Sequence, residues 1–117
     1  MYAPHHPPPD LAALVDHERL RSIRDDYADI AGPLIDVFEQ SATVTLAELR
    51  AAVSRGDEAT TARLAHRLKG SARNVGASAI AALSADAEAG GADTPRTVAA
   101  LQASLGPTCA ALRAALV

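Results

Sequence analysis

The chain has 117 residues, a length typical of a single domain. Its net charge of −3 argues against general nucleic-acid binding, which needs a basic surface, and no apolar run approaches the roughly 18 residues that a membrane span requires. Hydrophobic residues make up 49% of the chain, but 28 positions are alanine and only three are aromatic, which suits closely packed helices. Neither of the common glycine-rich nucleotide-binding loops occurs in the sequence.

The N-terminal segment is rich in proline. Residues 1–10 read MYAPHHPPPD and contain four of the seven prolines, so we expect a disordered tail. This segment has neither the basic nor the apolar region of a secretory signal. The single cysteine, Cys109, cannot form an intrachain disulfide. We therefore expect a cytoplasmic protein.

Apolar residues recur at helical spacing from Leu11 onward, and no alternation typical of a β-strand is present. We predict a short helix that begins near Leu11 or Asp16 and ends near Arg24. A long helix follows from Ala28 to Arg55. Its wide apolar stripe is typical of a core-facing surface and comprises Ile30, Leu34, Val37, Phe38, Leu46, Leu49 and Val53.

Turn signals predict the limits of the next helix. Gly56 is suited to end the first long helix, and Asp57 is a good N-cap with Glu58 in the first turn, where the helix dipole favours an acid. The second long helix extends to Val75, and Gly76 stops it.

Two further helices complete the chain. Ser78 is the predicted N-cap of the third helix, which ends at the glycine pair 90–91. Thr94 as N-cap and Pro95 as the first helical residue open the fourth, which extends to the C-terminus. These elements predict an all-α protein, an antiparallel four-helix bundle with a short extra N-terminal helix, formed by residues 11–117.

Two Gly-Pro pairs, Gly32-Pro33 and Gly106-Pro107, interrupt the predicted helices. A proline inside a helix costs about 3 kcal/mol because it removes a hydrogen bond and clashes with the preceding turn. The apolar phase continues through both pairs, which indicates a kink rather than a break. The alternative for Pro33 is that it is the first residue of a later helix, with residues 29–32 in a loop.

The second long helix contains the candidate reactive residues. At 100° per residue, His66 faces away from the apolar face formed by Leu64, Leu68, Ala72 and Val75. The residues within about 60° of the histidine on the outer face are Ala62, Arg63, Lys69, Gly70 and Arg73.

Three features of this outer face have no purely structural reason. Gly70 costs roughly 1 kcal/mol relative to alanine inside a helix, and a bare backbone is useful there if another surface must come close. Residues 59–85 contain four cations and no acid, a local charge of +4 in a chain whose net charge is −3. Lys69 is the only lysine, and a compact ammonium suits a small anionic group better than a planar guanidinium does.

Together these features predict a nucleophile for a phosphoryl group. A neutral imidazole can attack phosphorus because its pKa lies close to physiological pH. Lys69 would neutralise the transferred oxyanions, and the basic segment would attract an acidic partner. No metal-binding cluster accompanies the histidine in the sequence, so the Mg²⁺ that is usual in phosphoryl transfer is expected from the partner.

The run HRLKGSARNVGA, from His66 to Ala77, resembles the H-x-L-K-G-(S)-x-x-x-x-G-(A) signature of histidine-containing phosphotransfer (HPt) domains. The similarity covers the helix order of residues 16–117, and the strong match is confined to residues 64–88, which include Leu83 and Glu88. The resemblance implies a four-helix bundle that takes a phosphoryl group from the aspartyl phosphate of a receiver domain and passes it to another receiver. It also implies that His66 is phosphorylated, that Lys69 stabilises the phosphoryl group, and that Gly70 leaves room for the receiver.

The same resemblance implies the partners. They are receiver domains of response regulators or of hybrid histidine kinases, with Mg²⁺ supplied by the receiver and no cofactor of the chain's own. In that family, apolar residues of the first long helix near the active histidine form part of the receiver-docking patch, so we expect part of this helix to be less buried than its stripe indicates. We expect a monomer without kinase or ATPase activity of its own, which binds neither nucleic acid nor membrane. Partner contacts are assigned to Ala62, Arg63, Arg67, Arg73 and Asn74.

Two other functions are compatible with the same helical face. The first is an interaction module that binds a receiver or kinase without phosphoryl transfer, and its binding would not depend on His66. The second is a small helical DNA-binding protein. Its basic segment would have to act against the −7 charge of the remaining chain, and its binding would depend on salt.

Overall fold

The computed structural model describes residues 14–116, which form five α-helices and one short 3₁₀ turn, with no strand among these residues. The predicted all-α bundle with an extra N-terminal helix is confirmed. The proline-rich tail predicted over residues 1–10 lies outside the described residues. The elements are α1 (His17–Tyr27), the 3₁₀ turn (Ala28–Ile30), α2 (Ala31–Ser54), α3 (Glu58–Val75), α4 (Ser78–Ala89) and α5 (Thr94–Leu116).

The four long helices form the bundle. Short connections join them in chain order, which makes neighbouring helices antiparallel. α3 packs between α2 and α4, while α5 closes the bundle against α2 and α4. The core consists mainly of leucine, isoleucine and alanine side chains that are almost completely buried.

α1 packs on the turn between α3 and α4. The sequence alone did not show whether this short helix packs on the bundle. The N–H of Asp16 donates to the carbonyl of Gly76 at 2.7 Å, and the Nε of Arg19 donates to the carbonyl of Asn74 at 2.9 Å. Leu20 is buried against Gly76, where an added Cβ would lie 3.1 Å from the leucine. α1 ends at Tyr27, three residues later than predicted.

The predicted caps are correct at both ends of α3 but wrong at the start of α4. The side chain of Asp57 accepts from the N–H of Thr60 at 3.1 Å, and Gly76 ends α3 with a positive φ of 80°. Ser78 is the first residue of α4 rather than its N-cap, a position that Ala77 occupies. No capping side chain is used there. Instead, the N–H of Ala79 in the first turn donates to the carbonyl of Leu14.

The start of α5 also differs from the prediction. Thr94 is the first helical residue, and the N–H of Thr97 donates to the carbonyl of Asp93 at 2.9 Å, so Asp93 takes the N-cap position. The hydroxyl of Thr94 donates back to the carbonyl of Gly91 at 2.9 Å. Pro95 remains in the first turn, where its missing N–H breaks no helical hydrogen bond.

The two prolines behave differently. Pro33 is the third residue of α2 and lies in the first turn, where its missing N–H has no intrahelical partner. The helix therefore needs no kink at Pro33, and residues 28–30 form a 3₁₀ turn rather than the predicted start of a long helix or a loop. Pro107 lies inside α5, and the helix continues through it as predicted.

The apolar stripe of α2 is only partly buried. Phe38, Leu46 and Leu49 face the core as expected. In contrast, Ile30 is 47% exposed and Val37 is 64% exposed, so this part of the stripe faces solvent rather than the core. The stripe is wider than the surface that α3 and α5 can cover, and the residues at its outer edge face solvent.

Candidate functional site

α3 presents His66 to solvent at mid-helix. Leu64, Ala65 and Leu68 are buried and hold this part of α3 against the core. The side chain of His66 is 68% exposed, as its helical phase predicts. The imidazole is therefore held on a rigid element and remains accessible to another protein.

A carboxylate from α4 contacts both residues predicted to act on a phosphoryl group. The Oε2 of Glu88 lies 2.8 Å from the Nδ1 of His66, and its Oε1 accepts a hydrogen bond from the Nζ of Lys69 at 2.6 Å. Because α3 and α4 are antiparallel neighbours, the last turn of α4 lies beside the middle of α3. Glu88 thus bridges a histidine and a lysine that are one helical turn apart.

The contact to Glu88 orients the imidazole. Hydrogen bonds from Lys69 and then from His66 hold the pKa of the Glu88 carboxyl below its ordinary value, so the carboxylate is ionised at neutral pH. An ionised carboxylate only accepts hydrogen bonds, so the Nδ1 that faces it carries the proton and donates it to the carboxylate in a hydrogen bond. In the neutral imidazole, Nε2 then has a free lone pair.

Lys69 is more enclosed than the histidine. Its side chain is only 17% exposed, because it extends along the protein surface to Glu88. An ammonium group has three donors, and Glu88 is the partner of one of them. Lys69 can therefore keep its contact with Glu88 and still donate to a second anion near His66.

Gly70 is exposed, and nothing inside the protein requires it. A Cβ added at this position would meet no heavy atom within 4 Å. Its φ is not in the left-handed region, so its backbone conformation does not require glycine either. The cost of glycine in a helix therefore has no compensation within the described residues.

The basic segment is partly neutralised by its neighbours. Glu88 pairs with Lys69, and Glu48 of α2 lies 3.9 Å from the guanidinium of Arg67. The local charge of +4 counted along the sequence is thus offset by two carboxylates from other helices. Arg63 and Arg73 are exposed on α3.

The remaining predicted partner contacts lie on either side of the histidine. Ala62 is half-buried one turn before it and lines a groove of about 530 Å³ between the start of α3 and the end of α4, a groove that Glu88 also borders. Asn74 is exposed in the last turn of α3, and its carbonyl accepts the hydrogen bond from Arg19 of α1. The structure therefore arranges these residues along one side of α3, above and below His66.

Glu88 is the residue that the sequence reasoning did not assign to the site. In the sequence, it belongs to the family-like pattern downstream of the glycine. It is one of the first two acids after the uncharged or basic stretch of residues 59–85, the other being Asp86. Its position in the sequence only weakly indicated a role in the site, because only the packing of α4 on α3 shows which of the two acids faces the histidine.

The described residues form neither a metal-binding cluster nor a membrane-spanning helix. Within residues 14–116, no group of three or more histidine, cysteine, aspartate or glutamate side chains is placed to hold a metal ion. None of the helices in this part of the chain is both long and apolar enough to cross a membrane.

The fold and the site define an all-α bundle with a solvent-facing histidine that is supported by a carboxylate and an ammonium group. The family model of the Hpt domain matches residues 33–115, from the start of α2 nearly to the end of α5, and the chain belongs to this family. The comparison with curated proteins found no match, and neither did the comparison with solved structures. α1 precedes the matched region.

Membership of the family defines the general function. Hpt domains are phosphocarriers of phosphorelays, in which they transfer phosphoryl groups through a histidine and interact with receiver domains. Because they carry phosphoryl groups, Hpt domains differ from classical enzymes.

Proposed function

We propose that this protein accepts a phosphoryl group on His66 from the aspartyl phosphate of one receiver domain and passes it to another receiver. The observation that carries the proposal is the 2.8 Å contact between Nδ1 of His66 and Glu88, which leaves Nε2 as the nucleophile on the exposed side of α3. Glu88 contacts the exposed imidazole of His66 and the ammonium of Lys69 through its two oxygens.

The proposed step is an in-line displacement at phosphorus. The lone pair of Nε2 forms the N–P bond while the bond between phosphorus and the aspartyl oxygen breaks, and the aspartate leaves with that electron pair as a carboxylate. Nδ1 keeps its proton, so the phosphorylated ring is cationic. Glu88 faces this positive charge and stabilises it. In the return step, an aspartate of the second receiver attacks phosphorus and the electron pair of the N–P bond returns to Nε2.

Lys69 supplies the positive charge for the phosphoryl oxygens. It lies one turn after His66, and Glu88 already holds it on the same side of α3. The Mg²⁺ that assists the transfer would be bound by the receiver rather than by this chain. The chain would then need no cofactor and no nucleotide of its own.

The receiver would dock over α3 and the adjoining edge of α2. Gly70 provides a bare backbone for close approach. Val44, which is 61% exposed, lies one turn before Glu48 and thus near Arg67, so an apolar contact is available beside the histidine. Ala62, Arg63, Arg67, Arg73 and Asn74 are the proposed flanking contacts. The proposed partners are receiver domains of response regulators or of hybrid histidine kinases. The proposed location is the cytoplasm, as the sequence predicts.

The test is transfer from a phosphorylated receiver. Wild-type protein should take up label that is labile in acid and stable in alkali, and His66→Gln should take up none. His17→Gln is the matched control, because His17 lies on the exposed part of α1. Label that persists on His66→Gln would exclude His66 as the acceptor.

An interaction module without transfer is the second candidate, and the exposed apolar residues of α2 support it. It predicts receiver binding that is equally tight for wild type and His66→Gln, together with no label on either protein. Labelling of the wild type would exclude it.

A further inference from the structure

The charges around His66 do not balance once the ring carries a phosphoryl group. In the unmodified protein, the carboxylate of Glu88 pairs with the ammonium of Lys69 at 2.6 Å, so these two charges cancel. In the proposed phosphorylated state, the ring is cationic and the phosphoryl group carries about two negative charges. About one negative charge then remains without a counter-charge, and a further cation beside the histidine would neutralise it.

The three arginines of α3 differ in their position relative to His66. Arg67 follows the histidine directly but is rotated by about 100° toward α2, where its guanidinium lies 3.9 Å from Glu48. Arg73 lies seven positions after the histidine, about 10 Å further along the helix axis. Arg63 lies three positions before the histidine, and residues at this spacing have their Cβ atoms about 5–6 Å apart. Arg63 is therefore the arginine that lies within one turn of His66 on the same face.

The orientation of the imidazole directs the phosphoryl group away from α4. Glu88, which belongs to α4, lies 2.8 Å from Nδ1 of His66. The two nitrogens of an imidazole ring point in nearly opposite directions, so Nε2 points away from α4 and across the outer face of α3. Lys69 lies on the α4 side of the histidine, where it contacts Glu88. A phosphoryl group on Nε2 would therefore extend toward the opposite side of the histidine.

Arg63 lies on that opposite side. At 100° per residue, Arg63 and Lys69 are rotated by about 60° from His66 in opposite directions, one turn before it and one turn after it. Arg63 is exposed, and it forms no ion pair with an acid in residues 14–116. Its guanidinium is therefore free to bind an anion beside the histidine.

We propose that Arg63 is a second cation of the transfer site and binds the phosphoryl oxygens from the side opposite to Lys69. A planar guanidinium can donate two parallel hydrogen bonds to a phosphoryl group. The covalent step is that of the proposed transfer, in which the bond between Nε2 and phosphorus forms as the aspartyl bond to phosphorus breaks. Arg63 forms no covalent bond and keeps its protons. This inference rests on the proposed function and extends the role of Arg63 from receiver contact to phosphoryl binding.

Phosphorylation by a small donor tests this assignment, because such a donor has no docking surface. With phosphoramidate, the bond between Nε2 and phosphorus forms, the P–N bond of the donor breaks, and ammonia leaves with the electron pair. Mass spectrometry would follow the gain of the phosphoryl group. We expect Arg63→Ala to react on the order of five- to tenfold more slowly than wild type. Arg63→Lys keeps the charge without the guanidinium fork and should recover part of the rate.

Transfer from a phosphorylated receiver provides a second measurement. At saturating receiver, Arg63→Ala should lower the maximal rate by a similar factor, whereas loss of a docking contact alone would change only the receiver concentration at half-maximal rate. Arg96→Ala is the matched control, because it removes an exposed arginine of α5, and it should equal wild type with both donors. Circular dichroism would verify that all variants are folded.

The failure of this inference differs from the failure of the proposed function. If Arg63→Ala reacts with phosphoramidate as fast as wild type, Arg63 does not bind the phosphoryl group, even if transfer from the receiver is slower. Label from either donor that persists on His66→Gln would overturn the proposed function itself. The variant that keeps the wild-type rate therefore shows which of the two is wrong.

Discussion

His66 and Glu88 meet across the interface of α3 and α4, with 2.8 Å between the imidazole Nδ1 and the carboxylate Oε2. The same carboxylate holds Lys69 at 2.6 Å through its other oxygen. One acidic side chain thus orients the proposed nucleophile and positions the cation that would meet the phosphoryl group.

Glu88 acts as a positioning residue in this scheme. Glu88→Ala removes the acceptor of Nδ1–H and the partner of Lys69, so we expect transfer from a phosphorylated receiver to slow on the order of tenfold or more. Glu88→Gln retains an acceptor oxygen for Nδ1–H and should recover part of this rate. Asp86→Ala, on the exposed side of α4, is the matched control. Equal rates for Glu88→Ala and wild type would show that Glu88 has no role in transfer.

The ionisation of Glu88 predicts a pH dependence of stability. The pKa of its carboxyl is lowered from the ordinary value of 4.5, first by the hydrogen bond from Lys69 and then by that from His66. A lowered pKa in the folded state means that the stabilisation is present above pH 4.5 and is lost as pH falls below it. The difference in unfolding free energy between wild type and Glu88→Gln should therefore be constant above pH 4.5 and become smaller as the pH falls below that value. A difference that does not change with pH would contradict this contribution.

Lys69 should affect the rate of transfer more than the fold. Lys69→Ala removes the only lysine of the chain, whose ammonium lies beside His66, and we expect transfer to slow on the order of ten- to a hundredfold. The pKa of Glu88 should rise in this variant, because Lys69 is the largest cause of its lowering. Carbon-detected NMR titration of the carboxyl would measure that rise. Arg96→Ala, which removes an exposed cation of α5, should leave both quantities unchanged.

The two glycines of the HPt-like signature, Gly70 and Gly76, should respond in opposite ways to alanine. Gly70→Ala meets no atom within 4 Å and should stabilise the fold by about 0.5–1 kcal/mol, while a receiver that needs the bare backbone would accept or donate phosphoryl groups more slowly. Gly76→Ala forces a side chain into a φ of 80° beside Leu20 and should destabilise by about 1–2 kcal/mol. Chemical denaturation would measure both changes. A Gly70→Ala protein that transfers as fast as wild type would remove the proposed close approach.

Much of the fold was readable from local sequence patterns. Helical periodicity predicted four long helices and the outward direction of His66, because helical phase is set by residues only a few positions apart. Asp57 and Gly76 marked helix limits for the same reason, since a cap acts on the turn beside it. The HPt-like run from His66 to Ala77 lies within this locally determined part.

Other features depended on segments far apart in sequence. Glu88 is 22 positions from His66, and Glu48 is 19 positions from Arg67, so a count along α3 alone overestimated the positive charge of the site. Leu14 supplies the carbonyl that replaces the predicted cap at Ser78.

The sequence by itself determined the helices, the signature and the outward direction of His66, because each follows from residues that are close together in the chain. Only the tertiary structure decided which acid faces His66 and which part of the α2 stripe is exposed. Val37 and Phe38 are adjacent and both apolar, yet one is 64% exposed and the other 3%. Burial is set by where α3 and α5 cover α2, and that depends on the packing of whole helices rather than on the residue type.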